Sequence, residues 1–283
     1  MFNNREVATA ILIAVIIVAF AVVPSLRRSV GPSLPGVLKA LFVPRLVVVF
    51  LAFLLWAAGW IVLAAVSGLW DIHLLKDSII IIVTLGFPML VKSVGLKSGP
   101  SIVRTVLVES IGLTAVLAFY LNLTPFPLWL ELIVQPVLTL LVVLHVFSAT
   151  KEEWARVHRL FSVMLIAFGV LTLTWTTSQV AMNFSELDLL DLLRSFVLSV
   201  ALPAVLVPFF YMTAFHAYSE LALVRIRLTN PRGLRRVRWA IWLGLHFRVS
   251  LAAKLTGRYN RLGEATGFRD ARRRMAEFRS EVT

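Results

Sequence analysis

LVVVFLAFLLWAAGWIVLAAV (46–66) and SIIIIVTLGFPMLVKSVGL (78–96) are two apolar runs parted by SGLWDIHLLKD (67–77). Each run is near the ~20 residues that a helix needs to cross a bilayer's hydrocarbon core at 1.5 Å per residue. The stretch between them holds Asp71, His73, Lys76 and Asp77. Ionised side chains at the bilayer centre cost on the order of 2.5–3.5 kcal/mol each by insertion scales, so such a cluster belongs at a water interface. The pattern therefore predicts helix, polar turn, helix. The second run must also include Lys92, whose stem is long enough to snorkel to the interface.

The same signal recurs along all 283 residues. Segments 7–23, 46–66, 78–96, 103–122, 127–148, 160–178 and 190–214 have spanning length and composition. The chain is 59% hydrophobic and 15% charged, with a mean hydropathy of +0.87. Soluble domains are nearer half apolar and a quarter charged. These figures predict an all-α membrane protein with seven transmembrane helices. Cysteine is absent, which excludes disulfides, thiol nucleophiles and thiolate metal sites.

The loops set the orientation. Of the 28 Lys and Arg residues, all but Arg5, Lys76 and Arg194 fall in alternate loops on one side or in the C-terminal tail. The opposite side carries Glu6, Asp71, Asp77, Glu131, Glu186, Asp188 and Asp191. By the positive-inside rule the N-terminus is expected outside and the C-terminus in the cytoplasm. The first segment is expected to stay in the mature protein, because Arg27 and Arg28 follow its apolar run rather than precede it.

Residues 1–216 are expected to form the transmembrane domain and 217–283 a basic cytoplasmic helical tail. Residues 24–45 read as a cytoplasmic loop, with a short interfacial helix over 36–42. Ser185 and Asp188 read as an Asp-type capping box for the last span, which contains Pro203 and Pro208. In the tail, Asn230 and Pro231 mark a helix start. The next two dozen residues are too charged to span but apolar enough to need a partner surface. A second helix over 267–280 places Phe268, Ala271, Met275 and Phe278 on one face.

Catalysis is not expected. His73, His145, His158, His216 and His246 are scattered, and no metalloprotease, nucleophile-elbow or phosphate-loop motif occurs. No metal or cofactor is implied. Glu109 is the one acid well inside a span; it either reaches the interface or a neighbouring helix, or faces a cavity or pore. Glu131, Gln135, Thr139 and His145 lie within an arc of about 120° on the fifth span. That stripe serves either interhelical hydrogen bonding or the wall of a conduction path. Thr172, Thr176 and Gln179 make a smaller stripe with the same two readings. In the tail, Arg235, Arg236, Arg238, Arg272, Arg273 and Arg274 would attract anionic lipid, or bind phosphate in a bidentate manner as Arg does better than Lys.

The stretch GLWDIHLLKDSIIIIV (68–83) resembles the channel-forming transmembrane effectors of Hailong-type bacterial antiviral defence systems. The resemblance implies a homo-oligomeric ion channel that depolarises the membrane. It also implies control by an oligonucleotide or cyclic nucleotide from a partner nucleotidyltransferase. Trp70, Asp71, Lys76 and Asp77 would then stand at the outer end of the channel wall. Asp188 and Asp191 would extend a negative outer vestibule, with Lys76 paired to a helix-end aspartate. Two other functions fit the residues, a small-solute transporter and a membrane scaffold that recruits a cytoplasmic partner.

Overall fold

The computed structural model describes residues 3–111, 113–186, 189–229, 234–258, 262, 265 and 267–282. It is 87% helix, with no strand among the described residues. Among the described residues, six helical stretches are long and apolar enough to cross a membrane: Asn4–Val22, Pro44–Val66, Ile72–Ser93, Leu128–Ser148, Glu152–Met182 and Leu190–Ile226. The expected span over 103–122 is helical at Gly99–Ile111 and at Leu113–Asn122. Gly112 lies outside the described residues. Two compact units share the chain, one of residues 1–46 and 113–189, the other of 47–112 and 190–283.

The first unit begins with α1 (Asn4–Val22). Asn3 caps it: its side chain accepts from the Arg5 amide while Glu6 Oε2 accepts from the Asn3 amide at 3.0 Å, a capping box. Residues 24–45 are more helical than expected, and a short helix lies where one was expected over 36–42. They carry α2 (Pro24–Val30) and α3 (Leu34–Leu41). Pro24 does not break α2 because it occupies the first turn, where its missing N–H has no partner to lose. Further on come α8 (Leu113–Asn122), α9 (Leu128–Ser148) and α10 (Ala155–Met182). α10 outruns the expected 160–178 at both ends. The α9–α10 connection is short, so the two helices pack side by side and antiparallel.

In the second unit, α4 (Pro44–Val66) places Phe53 in the core, fully buried. Rings of Phe87, Phe209 and Phe210 surround it at centroid distances of 5.2, 5.6 and 6.0 Å. The third spanning stretch is irregular. A single turn at Ile72–Leu74, capped by Asp71, leads into α5 (Leu75–Ile81), then a wide π turn at Ile82–Gly86, then α6 (Phe87–Ser93). Pro88 accounts for the widening. It has no N–H for the Thr84 carbonyl, and its ring would strike that carbonyl in a regular helix. Gly86 sits on the inside of the turn, where a Cβ would come 2.9 Å from Phe53 Cζ. α7 (Gly99–Ile111) adds Ile102 and Val106 to the same core.

α11 (Leu189–Thr229) is 41 residues long, about 60 Å, or twice the thickness of a hydrocarbon core. It does not stop at 214 as expected. Ser185 lies in a separate turn at Phe184–Glu186, and Asp188, the other half of the expected cap, falls outside the described residues. Pro203 and Pro208 are carried within the helix, and Trp56 Nε1 donates to the Val205 carbonyl between them at 3.0 Å. Ser195 Oγ donates to Asp77 Oδ2 at 3.0 Å near the start of α5, and Tyr218 Oη donates to the Gly95 carbonyl beyond α6 at 3.0 Å. The third stretch and α11 therefore run parallel.

The tail beyond α11 folds on itself. Residues 230–233, with the expected Asn230–Pro231 start, lie outside the described residues. α12 (Leu234–Gly244) ends at His246 and Phe247, both in the left-handed region at φ 47° and 55°. The expected long helix is thus broken, and α13 (Val249–Gly257) starts afresh. α14 (Phe268–Val282) buries Ala271, Met275 and Phe278, the face expected from its sequence. It packs on Ala240, Ile241 and Leu245, so the partner surface that α12 required is another part of the tail. Gly244 permits the approach, since a Cβ there would lie 2.9 Å from Met275 Cβ.

Candidate functional site

The polar stripe of α9 is divided. At its upper end Glu131, 1% exposed, accepts from Arg5 Nε at 3.1 Å and from the Phe126 amide at 3.2 Å. Gln135 Nε2 donates to Glu131 Oε2 at 3.2 Å and to the Arg5 carbonyl at 2.9 Å. Thr9 Oγ1 sits 3.0 Å from Gln135 Oε1. Arg5 Nη1 reaches Asn122 Oδ1 at 2.7 Å, and Asn3 Nδ2 donates to the Asn122 carbonyl at 3.2 Å. This network ties α1 to α9 and the end of α8. It uses Glu131 and Gln135 for interhelical hydrogen bonds, the first of their two readings.

Lower on α9, exposed Thr139 bonds only to its own helix, at the Gln135 carbonyl. His145 stacks on His158 of α10, with centroids 4.2 Å apart. His158 Nδ1 lies 3.1 Å from the His145 carbonyl; a carbonyl only accepts, so that contact requires the proton on Nδ1. Ser162 Oγ stands 3.4 Å from His145 Nδ1. On α10, Thr172 and Thr176 are buried, whereas Thr174, Thr177 and Ser178 face outward.

The second unit gathers a charged cluster at the shared end of the third stretch and α11. Arg194 Nη1 lies 3.6 Å from Asp71 and 3.8 Å from Asp191. Lys76 pairs with Asp77 at 3.8 Å. Trp70 Nε1 donates to buried Ser78 Oγ at 2.9 Å, which fastens the turn onto the helix below. All five charged side chains are one-third exposed or more, or nearly so. Along the third stretch, Ile80, Thr84, Pro88 and Lys92 follow at every fourth residue, all exposed, with Thr84 inside the π turn.

The tail arginines are mostly engaged. Arg238 pairs with Glu220 at 2.6 Å. Arg273 and Arg274 share Asp270 at 3.2 and 3.3 Å. Arg272 is exposed. The side chains of Glu109, Arg235 and Arg236 lie outside the described residues. Among those described, no three His, Asp or Glu side chains come together as a metal site would require.

Sequence reading assigned no site role to Arg5, Asn122 or Arg194. Asn3 and Glu6, spaced as a capping box before an apolar run, were the available signal that the N-terminal residues are fixed in place. No protein-family model, curated protein or solved structure matches this chain.

Proposed function

We propose that the chain is one subunit of a homo-oligomeric, ligand-regulated ion channel in a bacterial inner membrane, with seven spans, the N-terminus outside and the tail in the cytoplasm. The parallel course of the third stretch and α11 supports the seventh crossing. Two parallel spans need an odd number of crossings between them. Leu128–Ser148 and Glu152–Met182 supply two, so 99–122 supplies the third.

The observation that carries the channel reading is the exposed column on the third stretch, with charged residues at both ends and Thr84 at its centre. The conduction wall in this reading moves from α9, whose acid and amide are consumed within one subunit, to the third stretch. Copies arranged around an axis would bring Asp71, Asp77 and Asp191 into rings that favour cations. Asp188, adjacent in sequence, would add to them. The resemblance of residues 68–83 supplies the ligand class, an oligonucleotide or cyclic nucleotide made by a partner nucleotidyltransferase, and a role in antiviral defence.

Ion flux from liposomes carrying the purified protein tests this, with candidate nucleotides added. Flux that Thr84→Val lowers and Asp71→Asn makes less cation-selective is the expected result. A protein that stays monomeric and leaves liposomes tight with every nucleotide would overturn it. The scaffold reading is favoured by the in-chain bonding of Glu131 and Gln135. It predicts tight liposomes together with capture of a cytoplasmic partner by the tail.

A further inference from the structure

The outer face of α12 is apolar. Trp239 and Leu243, one helical turn apart, are 67 and 61% exposed, on the side turned away from the face that packs on α14, and Phe247, 62% exposed, follows beyond the helix end. Trp242, by contrast, contacts the rings of Phe215 and Phe247. Two consecutive non-glycine residues in the left-handed region, His246 and Phe247, are costly unless the surroundings impose them. Here Tyr211 Oη donates to the Phe247 carbonyl at 2.6 Å, and the Arg248 amide bonds to Leu245 at 2.9 Å. The fold thus pins Phe247 against Phe215, with ring centroids 5.3 Å apart and most of the residue still exposed, at a conformational cost.

The level of this ridge along α11 says what it meets. Arg194, Asp71 and Asp191 mark one water interface. Tyr211 and Phe215, which hold Phe247, lie roughly 26 and 32 Å further along α11 at 1.5 Å per residue. The hydrocarbon core is about 30 Å thick. The ridge is therefore set at the opposite headgroup level, where Trp and other aromatic side chains anchor. Exposed Arg248 follows Phe247, and Arg235 and Arg236 precede Trp239 in sequence. On these grounds we infer that Trp239 and Leu243 dock α12 flat on the bilayer surface among anionic lipid headgroups, with Phe247 marking that level at the helix end and α14 stacked on the far side of α12. The inference rests on the multi-pass reading alone and not on conduction.

Because the chain has no cysteine, a single introduced one reports a single position. The full chain carrying Leu243→Cys, labelled with a nitroxide, is placed in lipid nanodiscs with and without phosphatidylglycerol. Collision rates with oxygen and with a water-soluble nickel chelate are then measured. The expected result is oxygen favoured over nickel at position 243, the reverse at Ala276→Cys on the exposed side of α14, and stronger nickel exclusion with the anionic lipid present. Equal nickel access at 243 and 276 overturns docking. Spin–spin broadening between labels overturns it in favour of a second copy of the chain. Equal depth in both lipids overturns the anionic preference. Should Leu243→Cys fail to fold, Trp239→Cys reads the same ridge.

Discussion

An arginine and a carboxylate meet at a helix end in each unit, and the two pairs differ in almost every respect. Glu131 is buried and saturated with donors, while Asp71 and Arg194 are each 43% exposed and 3.6 Å apart. A buried carboxylate is a liability once its donors are lost, because it has no water to return to, although its partner Arg5 is itself 30% exposed. An exposed pair gains little and loses little. The first arrangement suits a fixed joint and the second a surface that meets ions or partners.

The largest expected effect follows from that difference. Glu131→Ala removes the acceptor for Arg5, the Phe126 amide and Gln135 together. It should cost about 3 kcal/mol, the upper end for hydrogen bonds to a charged group, since three donors lose one buried acceptor while Arg5, 30% exposed, keeps contact with water. Thermal unfolding of the detergent-solubilised protein would show this, and Glu131→Gln, which keeps an acceptor, should lose less. A loss no greater than that of Asp71→Asn would erase the distinction between the two ends.

How much of this the sequence discloses depends on the range of the interaction. The spans are legible because lipid demands long apolar runs, and the polar stripe on α9 is legible because its spacing is local. That the stripe bonds to Arg5 is not, since the partner is more than a hundred residues away in the chain. The α14 face was legible from its period, whereas its seat on α12 was not. α11 outruns its expected end for another reason. The drop in hydropathy after His216 does not bring loss of helix, because AYSELALVRIRL is rich in good helix formers.

The second unit relies on apolar fit where the first relies on polar satisfaction, and a second experiment sharpens that contrast. Gly86→Val forces atoms into Phe53 and should destabilise by about 1–3 kcal/mol through overpacking. Combining it with Phe53→Leu should recover part of the loss. An additive double variant would mean that the π turn needs glycine for backbone reasons and not for space. A smaller effect is expected for Tyr211→Phe, which removes one hydrogen bond to Phe247, about 0.5–1.5 kcal/mol. The same variant should loosen residues 246–248 and speed amide exchange there, while leaving the Glu131 joint untouched.

The smallest stability change should come from Arg194→Gln, within about 1 kcal/mol, because its partners Asp71 and Asp191 remain in contact with water. That small value is what makes the variant informative. Salt screens exposed charges over about 8 Å at physiological ionic strength, so the thermal midpoint of the parent should approach that of the variant as salt rises. In the Glu131 joint a weaker convergence is expected, since the Glu131 carboxylate is 1% exposed and salt screens buried charges much less. If Arg194→Gln instead raises cation flux from liposomes while stability is unchanged, the charge at this end acts on passing ions and not on the fold. A large, salt-insensitive loss of stability would place Arg194 in the same class as Arg5, and the third stretch would then be a second joint instead of a channel wall.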